Sequence, residues 1–418
     1  MHPFTLIVLL ALFAGLLLEL WLLQRQQRHV AAHRDRVPER FRDRVSLEQH
    51  RKAADYTLAK VRLARWQSLY GGALFLLFTL GGIIEWLDLL WRQVALPPIP
   101  QGIGLILSAL LLLGAAELPL TLWRTFVLEQ RFGFNRTTAG RFVKDLLLQL
   151  LLLALLGIPL LWAMLWLMQR AGSYWWLYAW LLWTGFTLFV SWAYPSFIAP
   201  LFNRFTPLPE GELRQRILGL LQRCGFDSGG IFVMDGSRRS AHGNAYFTGL
   251  GRRKRIVFYD TLMEKLEPDE LEGVLAHELG HFSHHHVRKQ LLLSAAMSLA
   301  GLAILGWLAQ QPWFYHGLGV GRPSNAAALL LFLLIVPLFS QFLSPLLAML
   351  SRRHEFEADA FASRQTGAEP LISALVKLYR DNASTLTPDP LYSGFHDSHP
   401  PAPVRIARLE TLSHAAAR

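Results

Sequence analysis

Seven separate stretches of this chain are apolar for about twenty residues each, which leaves few folds open. They are Phe4–Leu23, Leu69–Leu90, Ile103–Trp123, Leu146–Met168, Tyr174–Tyr194, Leu291–Ala309 and Ala326–Leu350. No water inside a bilayer can satisfy a free backbone N–H or C=O, so such runs cross it as helices. The sequence is 52% hydrophobic and 17% charged, too apolar for an ordinary soluble enzyme. The expectation is a mainly α, polytopic membrane protein. The first run lacks a basic leader and a small-x-small cleavage site, so it reads as an uncleaved span, with a signal peptide as the alternative. The second is interrupted by Gly71-Gly72 and Gly81-Gly82, and the seventh carries Pro337 and Pro345. Glu117 in the third faces a bundle interior or wet cavity, or lies near the interface. Pro97-Pro98-Ile99-Pro100 predicts a stiff turn.

The net charge of +11 would suggest nucleic acid in a soluble protein. Here the basic residues lie between the spans. Loops 24–67, 124–144, 195–289 and 351–418 hold 38 Lys and Arg, whereas the opposite side has only Arg92, Arg170 and Arg322. That asymmetry marks the cytoplasmic side, puts the N-terminus on the other side and leaves no call for a nucleic-acid partner. The expected location is multi-pass, in a bacterial inner membrane. Mixed charges over 24–67 predict solvated helix at the membrane surface. Four regions follow: a membrane region 1–195, a soluble segment 196–290, a membrane region 291–350 and a soluble segment 351–418. One cysteine, Cys224, rules out an intrachain disulfide or a Cys-based metal site.

The soluble segment contains His277-Glu278-Leu279-Gly280-His281. On a helix, His277 and His281 leave one face a turn apart and can share a Zn²⁺ at about 2.0–2.1 Å. Glu278 points slightly aside, where it can take a proton from a water that the metal polarises. Pro268, Asp269 and Glu270 form a suitable first turn. A solvated helix with incidental histidines would carry the same letters. Upstream, 229–235 reads as a strand, and 244–251 with 255–259 as a hairpin around glycines. Such an edge could hold an extended peptide by main-chain hydrogen bonds, or the sheet could merely cap the helices.

A catalytic zinc keeps three protein ligands and one open position. Glu355 and Asp359 lie one turn apart on a helix expected to continue from the seventh span. One could bind metal while the other accepts the free N–H of a ligand histidine. Glu357 points away and is less suitable. A salt-bridged helix face is the plainer reading. His284-His285-His286 is another possible metal cluster, but an exposed polar turn is the expected role.

These motifs resemble the CAAX prenyl protease 1 family of membrane zinc endopeptidases. The likeness rests on Phe-Gly-Phe-Asn-x-x-Thr within 126–138, Asn244-Ala245-Tyr246-Phe247, His277–His281, Glu355 to Phe361, and Ser398-His399-Pro400-Pro401 with Arg405. It implies seven helices around a large water-filled chamber, closed by a soluble metalloprotease domain with a small β-sheet. It implies one Zn²⁺ per chain on His277, His281 and Glu355, with Glu278 as base and Asp359 behind the ligands. Asn244, Ala245, Tyr246 and Phe247 would hold the peptide, and His399 and Arg405 would donate to the oxyanion or the peptide backbone. Three functions follow for comparison. The first is cleavage near the C-terminus of prenylated proteins, and the second is quality control of membrane proteins without prenyl specificity. The third, a zinc carrier, predicts ligands in mid-span, whereas here they cluster in soluble helix.

Overall fold

The computed structural model describes residues 2–248 and 253–416. Among them, six helices are long and apolar enough to cross a membrane: Pro3–His33, Pro98–Glu129, Ala139–Arg170, Gly172–Phe202, His286–Leu308 and Asn325–Thr366. A bent pair, Leu47–Phe78 and Ile83–Gln93, meets at 43° and brings the number to seven when taken as one span. Of the two glycine pairs in that run, only the second breaks it. Gly71-Gly72 lies inside unbroken helix, because a helical glycine costs only about 1 kcal/mol. The break needs a left-handed residue, which Gly82 supplies at φ 83°. Thr79 Oγ1 caps the first arm by donating to the Phe75 carbonyl at 2.7 Å.

Proline shapes the remaining spans. The run at 97–100 does not form the expected turn. Pro98 opens the helix instead, at a position where its missing N–H has no partner to lose. The helices widen into π turns at Leu153–Gly157 and Tyr194–Ile198, beside Pro159 and Pro195. The last span pauses in a short 3₁₀ turn, Gln341–Leu343, then continues as Ser344–Thr366. This is the continuous helix expected there, and it is called the carboxylate helix below.

Burial along the spans is low. In the most apolar window of each, the buried share runs from 11% for Ala139–Arg170 and Gly172–Phe202 to 39% for Asn325–Thr366. A solid bundle would bury one face of every helix. Low burial leaves much of each span free to face lipid or an internal space. One cavity of about 660 Å³ opens between them, lined by Met164, Trp183, Met297, Phe332, Val336 and His354.

The soluble region has a separate core around Ile217, Leu220, Phe258, Leu275, Leu279 and Leu371. One layer is a four-stranded sheet of β1 (Phe205–Pro207), β2 (Asp227–Met234), β3 (Ala245–Thr248) and β4 (Arg253–Tyr259), in the order β1-β2-β4-β3. β2 and β4 run parallel, and β3 pairs antiparallel with β4, with Tyr246 opposite Val257. The expected strand and hairpin are therefore present. The hairpin's glycines, Gly249 and Gly251, lie outside the described residues. The three-residue β1 is too short to announce itself by alternation. β3 is an edge strand.

The other layer contains the helix Pro268–Ser283, called the His-Glu helix below. Pro268 occupies its first turn, and Glu270 caps it by accepting from the Glu267 N–H at 2.8 Å. Lys377 and Ser373 hold that same carboxylate at 2.8 and 2.6 Å, fixing the helix start to the C-terminal segment.

Candidate metal centre

His277 and His281 leave the His-Glu helix one turn apart, and their Nε2 atoms lie 3.3 Å from each other. Glu355 reaches in from the carboxylate helix. Its Oε2 lies 3.4 Å from His277 Nε2, and its Oε1 lies 3.3 Å from His281 Nε2. Ligands placed tetrahedrally at zinc distances stand about 3.3–3.4 Å apart. The imidazole pair matches that edge length, and each imidazole has one Glu355 oxygen at about the same distance. Among the described residues, these three form the one cluster of potential metal ligands, with donor atoms within 4.8 Å of one another. Glu355 Oε2 is buried without a hydrogen-bond partner. Leaving such an oxygen unpaired is costly, and a cation beside it removes the cost. The residues present fit zinc.

The two helices can approach this closely because of Gly280. A Cβ there would meet Ala358 Cα at 2.8 Å and its carbonyl oxygen at 3.0 Å. The small residue inside the His-Glu-x-x-His stretch is thus a packing requirement at the helix crossing.

Each histidine is held from behind, by different chemistry. His277 Nδ1 lies 2.9 Å from Asp359 Oδ1, so it donates there and turns the Nε2 lone pair inward. Asp359 is gripped by both arms of Arg405, with Nε at 2.9 Å from Oδ2. Arg405 is 7% exposed, and its Nη1 lies 3.6 Å from Glu355. Burial and the Arg405 charge push His277 down, but the bonds to Asp359 and Glu355 outweigh both and lift it to about 9. His281 Nδ1 instead meets His286 Nδ1 at 3.0 Å, and His286 Nε2 meets Glu357 Oε2 at 2.9 Å.

One expectation is corrected here, and one is extended. The polar turn at 284–286 is not uniformly exposed. His286 is 3% exposed and backs His281, because His285 takes a left-handed conformation (φ 57°) that turns the next helix inward. Glu357 points away from the metal, as expected, and points at His286. Sequence reasoning missed this pair because 71 positions separate its members. The one local signal was a third histidine five residues beyond His281.

The remaining site candidates gather around the cluster. Glu278 is half-buried on the turn between the two histidines. His399 lies 3.4 Å from Glu355 by its Nε2, and its side chain is 65% exposed, so it borders the open side. Arg405 is at the centre, with its fork committed to Asp359. β3 runs beside the His-Glu helix, where the Phe247 and Phe282 rings are 5.8 Å apart. Asn244 stands just before β3, and its carbonyl accepts from Tyr259 at 3.0 Å.

The Phe-Gly-Phe-Asn stretch supports the approach to β3. Arg136 N donates to the Arg239 carbonyl, Ala241 N donates to that of Phe134, and Phe134 stacks on His242 at 4.2 Å. Asp145 and Arg239 close the junction with two bonds of 2.8 Å.

Two family models cover nearly all of the chain. Residues 26–204 match the CAAX prenyl protease N-terminal region of five membrane helices, and residues 207–413 match peptidase family M48. The chain belongs to the CAAX prenyl protease 1 family. The human CAAX prenyl protease 1 homolog is 33% identical, over 97% of this chain and 95% of that protein. CAAX prenyl protease 1 of Saccharomyces cerevisiae is 31% identical, over 90% and 89%. The crystal structure of S. mikatae Ste24p aligns with a TM-score of 0.90 at 29% identity, covering 98% of this chain and 99% of that one. As a member of this family the protein is a membrane-embedded zinc metalloendopeptidase, and the His277, His281, Glu355 cluster supplies the matching ligand set. These relatives are eukaryotic and lend no support to the bacterial inner membrane expected from the sequence.

Proposed function

We propose that this protein hydrolyses a peptide bond near the C-terminus of prenylated proteins, from a site on the cytoplasmic side of its membrane. The observation that carries this reading is the continuity of the site with the membrane. The carboxylate helix extends the last span, and the His-Glu helix passes through His285 directly into the span His286–Leu308. A lipid-modified C-terminus is held at a bilayer by its chain, so a protease for it gains by having its ligands on membrane helices. The names of the relatives support the same substrate class.

Bound zinc supplies Lewis-acid polarisation of the attacking water and the peptide carbonyl. The chain's own groups do the rest. Glu278 accepts the water's proton and returns it to the leaving amine. His399, on the open side, donates to the oxygen that gains charge as the carbonyl is attacked. Arg405 holds Asp359, and Asp359 holds His277 in the tautomer whose Nε2 faces inward. Against burial, the bonds to His277 and His281, with Arg405 Nη1 at 3.6 Å behind them, hold the Glu355 carboxyl well below the usual carboxylate range. The outer edge of β3, from Asn244 to Phe247, pairs with the substrate main chain, which makes binding tolerant of sequence.

The test is mass spectrometry of products from farnesylated and unmodified peptides of one sequence, using protein reconstituted in vesicles. Release of a C-terminal tripeptide from the farnesylated peptide is expected. Glu278→Gln should lower the rate by about 10²–10⁴-fold with zinc still bound. Equal cleavage of both peptides at internal positions would refute the prenyl reading, and activity surviving Glu278→Gln would refute the mechanism.

A further inference from the structure

A second cavity, of about 440 Å³, lies immediately beside the metal centre. His399 belongs to both, since it lines the cavity and sits 3.4 Å from Glu355. The opposite wall carries Lys60 and Thr57, from the helix Leu47–Phe78. Tyr392, Asp397 and Ser384 are among the other polar residues of the lining.

His396 is engaged with Glu19 at 3.2 Å, and His399 faces Glu355. Burial pushes the Asp397 carboxyl upward and the Lys60 ammonium downward, while Glu129 and Asp397 act on Lys60 from beyond contact distance. Lys60 has no carboxylate within 4 Å among the described residues, and its ammonium rests over the Tyr56 ring at 4.2 Å. Lys60 is exposed, and it meets solvent in the cavity. An ammonium with no carboxylate in contact is free to pair with an anion that enters the cavity.

The proposed reaction supplies such an anion. A cut three residues from the C-terminus leaves a short segment on the leaving side, ending in a free α-carboxylate. Three extended residues reach at most about 11 Å, and the cavity that includes both His399 and Lys60 holds about 440 Å³. We propose that this cavity receives the departing C-terminal segment and that Lys60 pairs with its terminal carboxylate. The pairing would set the cut at a fixed distance from the chain end. This rests on the reading of a C-terminal cut given above. It makes Lys60 a specificity-determining residue, remote in sequence from every zinc-binding motif.

The test compares two prenylated peptides of one sequence, one ending in a carboxylate and the other in an amide, with full-length protein in vesicles. The acid should show a KM about 10–100-fold lower than the amide, the range set by one charge-assisted bond. Lys60→Met should raise the acid's KM to that of the amide, and Lys60→Arg should preserve the preference. Wild-type protein that treats both ends alike overturns the proposal, as does a Lys60→Met protein that keeps the preference. A second arm needs no cleavage. Binding of a tripeptide acid and its amide is measured by calorimetry to the Glu278→Gln protein, with and without Lys60→Met. Acid-selective binding that depends on Lys60 supports the subsite even if prenylated peptides are not cut. Equal binding overturns it even if they are.

Discussion

Where the His-Glu helix crosses the carboxylate helix, a single added Cβ at Gly280 would collide with backbone. In the spans Ala139–Arg170 and Gly172–Phe202, only 11% of the apolar window is buried. The two regions meet different demands. Around the metal, Glu355, Asp359 and Arg405 are taken out of water, and each buried charge is affordable only if its partners are held in place. The site is therefore over-determined, with two supports behind each imidazole and a glycine at the crossing. The spans hold their backbone bonds internally and lose little by facing lipid or an internal space. Tight packing is concentrated where charge is buried, and loosely packed spans can coexist with a closely packed catalytic end.

The largest break in this comparison should come from Arg405→Met. It leaves Asp359 buried without its cation, and removing one member of a buried pair costs about 3–5 kcal/mol. The loss should appear as earlier melting of the soluble region, with far-UV signal from the spans retained. The double variant Asp359→Leu, Arg405→Met should recover much of that stability while still binding zinc poorly, because His277 loses its acceptor. Simultaneous melting of spans and soluble region would mean that the two regions are one cooperative unit.

His286→Ala should have a smaller effect. It removes the group behind His281 and leaves His277 supported. The expected change is about 10-fold to 100-fold in zinc affinity or activity, read by competition with a chelator. His286→Gln retains a polar partner at that position and should recover part of the loss. A merely structural role for His286 would lower melting temperature without moving zinc affinity.

How far the sequence made this molecule legible divides along the same line. The spans were readable because hydropathy is a local property, and because Lys and Arg sit almost wholly on one side of them. The His-Glu helix was readable because both imidazoles and the base lie within five residues. Glu355 and Asp359 were readable only as a helix face. Salt-bridged faces look identical, so it took the family likeness to assign them to metal. The His286–Glu357 support was hidden, since the run His284-His285-His286 does not say which ring turns inward and one backbone angle at His285 creates the contact. The break at Gly82 rather than Gly71 was also hidden. Both are paired glycines in an apolar run, and tertiary contact decides which adopts the left-handed conformation. The role of Phe134 became readable only once the approach to β3 was in view.

Acidity sharpens the comparison further, because the titration resides at the metal end. In zinc-free protein the folded value for His277, about 9, lies above the ordinary 6.5. Its stabilising contribution is therefore complete below about 6.5 and is lost as pH rises through 9. Zinc needs the neutral imidazole. Between those limits it must displace a proton, so apparent zinc affinity should rise by about tenfold per pH unit. Zinc-free protein should thus melt lower at pH 10 than at pH 6.5, while zinc loading improves in the same direction. Chelator competition at pH 7 and 8 measures the slope. A flat slope would mean that Asp359 and Glu355 do not hold the proton on His277.

The smallest effect should come from Leu147→Ala. Leu147 is 62% exposed on the span Ala139–Arg170. Truncating a buried leucine costs about 2–5 kcal/mol through lost transfer and a residual cavity. An unpacked leucine leaves no cavity, and its replacement should cost no more than about 0.5 kcal/mol. Reversible unfolding in mixed micelles can resolve that difference. A cost near the buried value would mean that this face of the span is packed against something, either protein from another copy or a well-ordered lipid. The low burial of the spans would then describe an isolated chain, and the contrast with the metal end would narrow accordingly.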